Sequence, residues 1–139
     1  MTQQATLSTA KVNVENGPKG IAITTDGTKI HVANSGNDSV PGSTVSVIDT
    51  ATNTVTTTVN MGSLPLGIAV TPDGTKVYVI NLNTNNVYVI NTTTNTVSAT
   101  VPVGSQPYRV SVTQDGKKVD VMNEDGTVSA IDTATNTAA

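Results

Sequence analysis

The chain has 139 residues, of which 12% are charged and 2% aromatic, with a formal net charge of −3; this allows one domain of ordinary size. Cysteine is absent, which excludes a disulfide-stapled module and a thiolate zinc site, and three tyrosines on an acidic chain exclude both phosphate-backbone binding and base stacking along a single strand. No run approaches the roughly 20 apolar residues of a membrane helix, and the first ten residues lack the apolar centre of a signal peptide, so no membrane insertion is expected and any export signal lies outside this sequence.

In chain order, residues 6–16 read as a lone strand, Leu7 to Val14, ending in Val12-Asn13-Val14. Three segments that align with one another follow. The first is Pro18-Lys-Gly-Ile-Ala-Ile-Thr-Thr-Asp-Gly-Thr-Lys-Ile-His-Val-Ala-Asn34. The second is Pro65-Leu-Gly-Ile-Ala-Val-Thr-Pro-Asp-Gly-Thr-Lys-Val-Tyr-Val-Ile-Asn81. The third is Pro107-Tyr-Arg-Val-Ser-Val-Thr-Gln-Asp-Gly-Lys-Lys-Val-Asp-Val-Met-Asn123. Each continues into a second matching stretch: Thr44-Val-Ser-Val-Ile-Asp-Thr-Ala-Thr-Asn53, Asn86-Val-Tyr-Val-Ile-Asn-Thr-Thr-Thr-Asn95 and Thr127-Val-Ser-Ala-Ile-Asp-Thr-Ala-Thr-Asn136. Pro65 and Pro107 lie 42 positions apart, and Pro18 and Pro65 lie 47 apart because the first unit carries about five extra residues between Asn34 and Val45. A period near 42 belongs to propeller blades rather than helical solenoids.

Within the middle unit every local signal is β. Ile68-Ala69-Val70 is a short apolar strand, Pro72-Asp73-Gly74-Thr75 a turn, and Val77 to Ile80 a β-branched and aromatic strand. Asn83 to Asn86 reads as a loop, Val87 to Ile90 as a third strand, Thr92 to Asn95 as a turn, and Thr96 to Val103 as an outer strand whose Pro102 marks a sheet edge. Four short antiparallel strands repeated at this period predict an all-β chain of three propeller blades, a single unit over 1–139. The blades fall at about 17–62, 63–104 and 105–139.

At these residues the sequence resembles the YVTN family of β-propeller repeats. The signature slot holds His31-Val32-Ala33-Asn34, Tyr78-Val79-Ile80-Asn81 and Asp120-Val121-Met122-Asn123, and the flanking pattern recurs over residues 18–137. The resemblance implies an extracellular or cell-surface protein of the surface-layer type, and related propellers include lactone hydrolases. Arg109 in place of Gly, Asp120 in place of Tyr, and the insertion before Thr44 depart from the pattern.

Propellers close at about four to eight blades, so three leave two apolar flanks open to water. Val12-Asn13-Val14 aligns with Val59-Asn60-Met61 and Val101-Pro102-Val103, whereas the third unit stops at Ala139, before a fourth strand of its own. One reading is a homodimer in which each copy lends its first strand to the last blade of the other, closing six blades. The other is a segment of a longer propeller.

The pairs Asp26-Gly27, Asp73-Gly74 and Asp115-Gly116 read as hairpin turns and lack the ligand spacing of a calcium loop. The Asp-Thr-Ala-Thr-Asn stretches read the same way. His31, the sole histidine, occupies a strand slot with no cysteine and no catalytic partner at a motif spacing, so no catalytic and no metal-binding residue is assigned. Blade geometry places Lys19, Asn37, Asp38, Tyr108, Arg109, Glu124 and Asp125 on one face, and these are the candidate binding residues. Asp38, Glu124 and Asp125 offer scattered carboxylates to a hard cation such as calcium, but no cofactor is expected. The expected function is a non-enzymatic structural or binding module contacting a protein or a glycan. The alternatives are a metal-assisted, lactonase-like hydrolase, or an excised or engineered repeat unit without activity of its own.

Overall fold

The computed structural model describes residues 9–37 and 39–138. Among the described residues twelve strands form three four-stranded sheets, in each of which successive strands pair in sequence order. Blade one holds β1 (Pro18–Ile23), β2 (Lys29–Gly36), β3 (Pro41–Asp49) and β4 (Thr54–Asn60). Blade two holds β5 (Pro65–Val70), β6 (Lys76–Asn81), β7 (Asn86–Asn91) and β8 (Thr96–Pro102), with a 3-10 turn at Leu82–Thr84. Blade three holds β9 (Pro107–Val112), β10 (Lys118–Asn123), β11 (Val128–Asp132) and β12 (Thr137–Ala138).

The turns explain why so polar a sequence makes such regular hairpins. In blade one the Asp26 carboxylate accepts from the Thr24 hydroxyl at 2.7 Å, the Thr28 amide at 3.0 Å and the Thr28 hydroxyl at 2.8 Å. Asp73 takes the same part in blade two, and Asp115 in blade three keeps the bonds from the Thr113 hydroxyl and the Lys117 amide. The glycine after each aspartate has a φ of 73–75°, which a side chain strains to adopt. At the outer hairpins Asn53, Asn95 and Asn136 occupy the left-handed region at φ of 54–55°, tolerable for Asn because its short amide bonds locally. The Thr50, Thr92 and Thr133 hydroxyls donate to the Gly27, Gly74 and Gly116 carbonyls at 2.6 Å. Each blade thereby ties its outer turn to its inner one.

The core lies between blades rather than within them. Val45, Val47, Val59 and Met61 of blade one meet Val77, Val79 and Ile90 of blade two. Tyr78, Ile80, Val87, Val89 and Val101 of blade two meet Val119, Val121 and Ile131 of blade three. Each blade thus has a leading and a trailing face, and among the described residues the trailing face of blade one and the leading face of blade three meet no neighbouring blade. Ile21 (70% exposed) and Ile23 mark the trailing face of blade one, and Met122 and Val128 the leading face of blade three.

One detail differs from the sequence reading. Blade three begins a fourth strand itself, because the Asp132–Asn136 turn throws the chain back so that Thr137 pairs with Asp132 and Ala138 with Ile131. Residues 9–16 form no strand within this chain, although residues 15–17 have the geometry of a blade junction. The Gly17 carbonyl accepts from Ser35 N, as Leu64 O does from Leu82 N and Gln106 O from Glu124 N. Residues 6–8, where the expected N-terminal strand begins, lie outside the described residues.

Candidate functional site

Antiparallel pairing puts the start of each blade's first strand and its second hairpin turn at one end of the molecule: Pro18 lies opposite Asn34, and Asn34 opposite Thr44. There β1, β5 and β9 run side by side about the axis. Glycine lets them approach, since a Cβ on Gly20 would fall 2.0 Å from the Leu66 carbonyl oxygen.

Between these strands lies a cleft of about 560 Å³ lined by Lys19, Gly20, Ile21, Leu66, Gly67, Ile68, Tyr108, Arg109 and Val110. The lining is one tripeptide position taken three times, so variation within it stands out. Lys19, Leu66 and Tyr108 share the first slot and Gly20, Gly67 and Arg109 the second. Lys19 and Arg109 are exposed, and the lining contains no carboxylate. The two ion pairs among the described residues, Lys29 with Asp49 at 3.5 Å and Lys118 with Asp132 at 3.8 Å, engage neither. On an acidic chain this is a local concentration of positive charge beside an aromatic ring.

Of the seven candidate residues, then, Lys19, Tyr108 and Arg109 are brought together and the others are not. Asn37 caps its own loop, its amide oxygen accepting from Ser39 N at 3.0 Å and Val40 N at 2.7 Å. Asp125 holds the last blade junction, accepting from the Thr127 amide and the Ser105 amide at 2.9 Å each. The Thr127 hydroxyl, first among its donors, keeps its carboxyl below the ordinary range. Glu124 is exposed in the adjoining turn. Asp38 lies outside the described residues.

A second cleft, about 470 Å³, opens at the opposite end among Asp26, Asp73, Lys29 and neighbouring threonines. Its carboxylates are committed to the turns. The Thr28 amide, aided by the Thr24 and Thr28 hydroxyls, holds Asp26 at about 2. Among the described residues no three His, Asp or Glu side chains gather where a metal ion would bind.

Single-sequence reasoning missed the polar work done between and inside blades. Asn34, Asn81 and Asn123, the repeated signature asparagines, are buried. Their amides donate to Ser46 Oγ at 2.9 Å, Asn86 Oδ1 at 3.0 Å and Ser129 Oγ at 3.0 Å respectively. Their recurrence at one slot was the available signal. His31 is buried, and neither ring nitrogen has a partner among the described residues; burial, with a smaller push from the Lys29 charge, lowers its pKa to about 4.

The sequence matches the lactonase, 7-bladed beta-propeller family over residues 1–112. The chain belongs to that family. Among solved structures, this lactonase-family chain resembles Kuenenia stuttgartiensis hydrazine synthase at 26% identity and a TM-score of 0.84, over 98% of this chain and 38% of that one. It also resembles U3-55K at 11% identity and a TM-score of 0.80, over 91% of this chain and 39% of the other, a likeness of fold alone. The chain spans less than two fifths of either structure. No curated protein matches the sequence.

Proposed function

We propose that the chain is a non-enzymatic binding module whose contact surface is the axial cleft at the Lys19–Arg109 end. The observation that carries this reading is a pair of cations beside Tyr108 in a cleft without carboxylates. Such a lining calls for an acidic group on the partner, with Arg109 forking onto a carboxylate or sulfate and Tyr108 offering a flat apolar face to a sugar or side chain. An acidic glycan or an acidic protein loop fits that chemistry. The YVTN-type resemblance supports a setting at the cell surface. Titration with polygalacturonate should show binding that weakens about tenfold in Arg109→Ala and falls with salt, while a neutral polysaccharide binds neither form. Equal binding by Arg109→Ala would remove the cleft from the account.

The family match favours a second reading, hydrolysis of a lactone. Assay of simple lactones with and without calcium separates the two. Turnover that follows the metal would replace the binding reading, and rates equal to buffer alone would retain it.

A further inference from the structure

We propose that Asn16 is a site of spontaneous deamidation, and that the isoaspartate formed there loosens the root of the hairpin insertion in blade one. The reaction needs an asparagine amide followed by a residue with no side chain to shield its backbone nitrogen. Asn16 is the one asparagine of the chain followed by glycine. It is exposed, lining a cleft of about 420 Å³ with Glu15, Gly36 and Gly42. The exposure belongs to the position, since Ser105, the counterpart in the third repeat, is exposed with all of blade two before it.

The fold holds the glycine in place. Gly17 has a φ of 63°, and a Cβ there would fall 2.0 Å from the Gly36 carbonyl oxygen. Leu64 and Gln106 carry side chains at the same left-handed slot, so the demand for glycine comes from Gly36 and the insertion that only blade one has.

The chemistry needs no co-reactant but water. The Gly17 nitrogen attacks Asn16 Cγ, forming a C–N bond as the Cγ–Nδ2 bond breaks, and its proton leaves with Nδ2 as ammonia. Water then opens the cyclic succinimide at either carbonyl, giving aspartate or isoaspartate with no change of oxidation state. The Asp-Gly pairs do not compete. Asp26, Asp73 and Asp115 each accept from the amide two residues on at 2.9–3.0 Å, and these amides, with the threonine hydroxyls, hold their carboxyls below the ordinary range. Asp125 is held the same way, chiefly by the Thr127 hydroxyl. An ionised carboxylate is a poor electrophile. Asn37, exposed in the insertion, has its amide oxygen engaged by two backbone amides.

Isoaspartate routes the main chain through Cβ and Cγ, adding one methylene between residues 16 and 17. Two bonds straddle that point: Gly36 N donates to Asn16 O at 3.0 Å and Ser35 N to Gly17 O at 2.8 Å. The first acceptor becomes part of a free carboxylate and the second shifts, so the hairpin root loses its register. The buried Ser35 hydroxyl also donates to the Pro65 carbonyl of blade two, which carries the loosening to the seam between blades.

Warm incubation at mildly alkaline pH tests the site, read on the tryptic peptide Val12–Lys19, which holds both Asn13 and Asn16. Acid should accumulate at Asn16, as aspartate and isoaspartate, while Asn13 keeps its amide. The chain should gain one negative charge on isoelectric focusing, and Asn16→Ser, the residue of both counterparts, should lose that species. Retention of the amide at Asn16, or equal conversion at Asn13, would overturn the site. For the loosening, Asn16→Asp carries the charge without the extra methylene. Its urea midpoint should stay close to that of fresh protein, and the aged, isoaspartate-bearing protein should fall below both. Equal midpoints for the aged protein and Asn16→Asp would overturn the loosening.

Discussion

The Tyr78 hydroxyl donates to Asn136 Oδ1 at 2.8 Å, bridging blade two to the outer turn of blade three across 58 residues of sequence. The ring is buried in the apolar seam between these blades, and burial, with Asp132 and Asp73 nearby, pushes the phenol up to about 12. Tyr78→Phe should cost about 1–2 kcal/mol, since it leaves a polar atom of Asn136 without its partner while keeping the packing. Urea denaturation should show a lower midpoint at an unchanged slope.

His31 fills the corresponding slot in blade one, opposite Val47 on β3, and its ring nitrogens find no partner among the described residues. Imidazole is shorter than phenol, which accounts for the missing bond to Asn95, the equivalent of Asn136. His31→Tyr should restore it and raise stability by about 1 kcal/mol. No gain in the urea midpoint would show that the two seams are not equivalent.

The same histidine sets an acid limit. In the folded chain it takes a proton only near pH 4, against 6.5 when unfolded. Between those values the unfolded state binds more protons, so stability falls as pH drops from 6.5 to 4, by at most about 3 kcal/mol. His31→Tyr should flatten that stretch of the pH–stability curve. Below it a separate loss is expected, as the lowered carboxyls of Asp26, Asp49, Asp73 and Asp115 begin to bind protons that the unfolded chain already holds from about pH 3.8 downward.

Close approach of backbones at the axis gives an ordered pair of outcomes. Gly20→Ala brings a methyl within 2.0 Å of the Leu66 carbonyl oxygen, whereas Gly67→Ala meets chiefly the flexible end of Ile80 at 3.0 Å. Gly20→Ala should therefore be the more harmful, by about 1–3 kcal/mol. Thermal melts in the reverse order would contradict the blade spacing described.

The blades were legible because turn chemistry and strand composition repeat at one period, so each unit corroborates the others. Asp73-Gly74 alone is an ambiguous dipeptide; three copies at one slot, each before a β-branched strand, are not. What stayed hidden are relationships that cross between units. Nothing local in Tyr78 or Asn136 announces their bond, and Asn37 and Asp125 look as available as Arg109 until the structure shows their side chains committed to their own loops. The start of β12 at Thr137 is likewise illegible in the sequence, because two residues carry no periodicity.

The functional account rests on Lys19 and Arg109 standing beside Tyr108 in a cleft without carboxylates. The direct measurement is calorimetric titration of the chain with polygalacturonate at low and at high salt. Saturable binding that weakens as salt is raised is the predicted result. No saturable binding at low salt would contradict it.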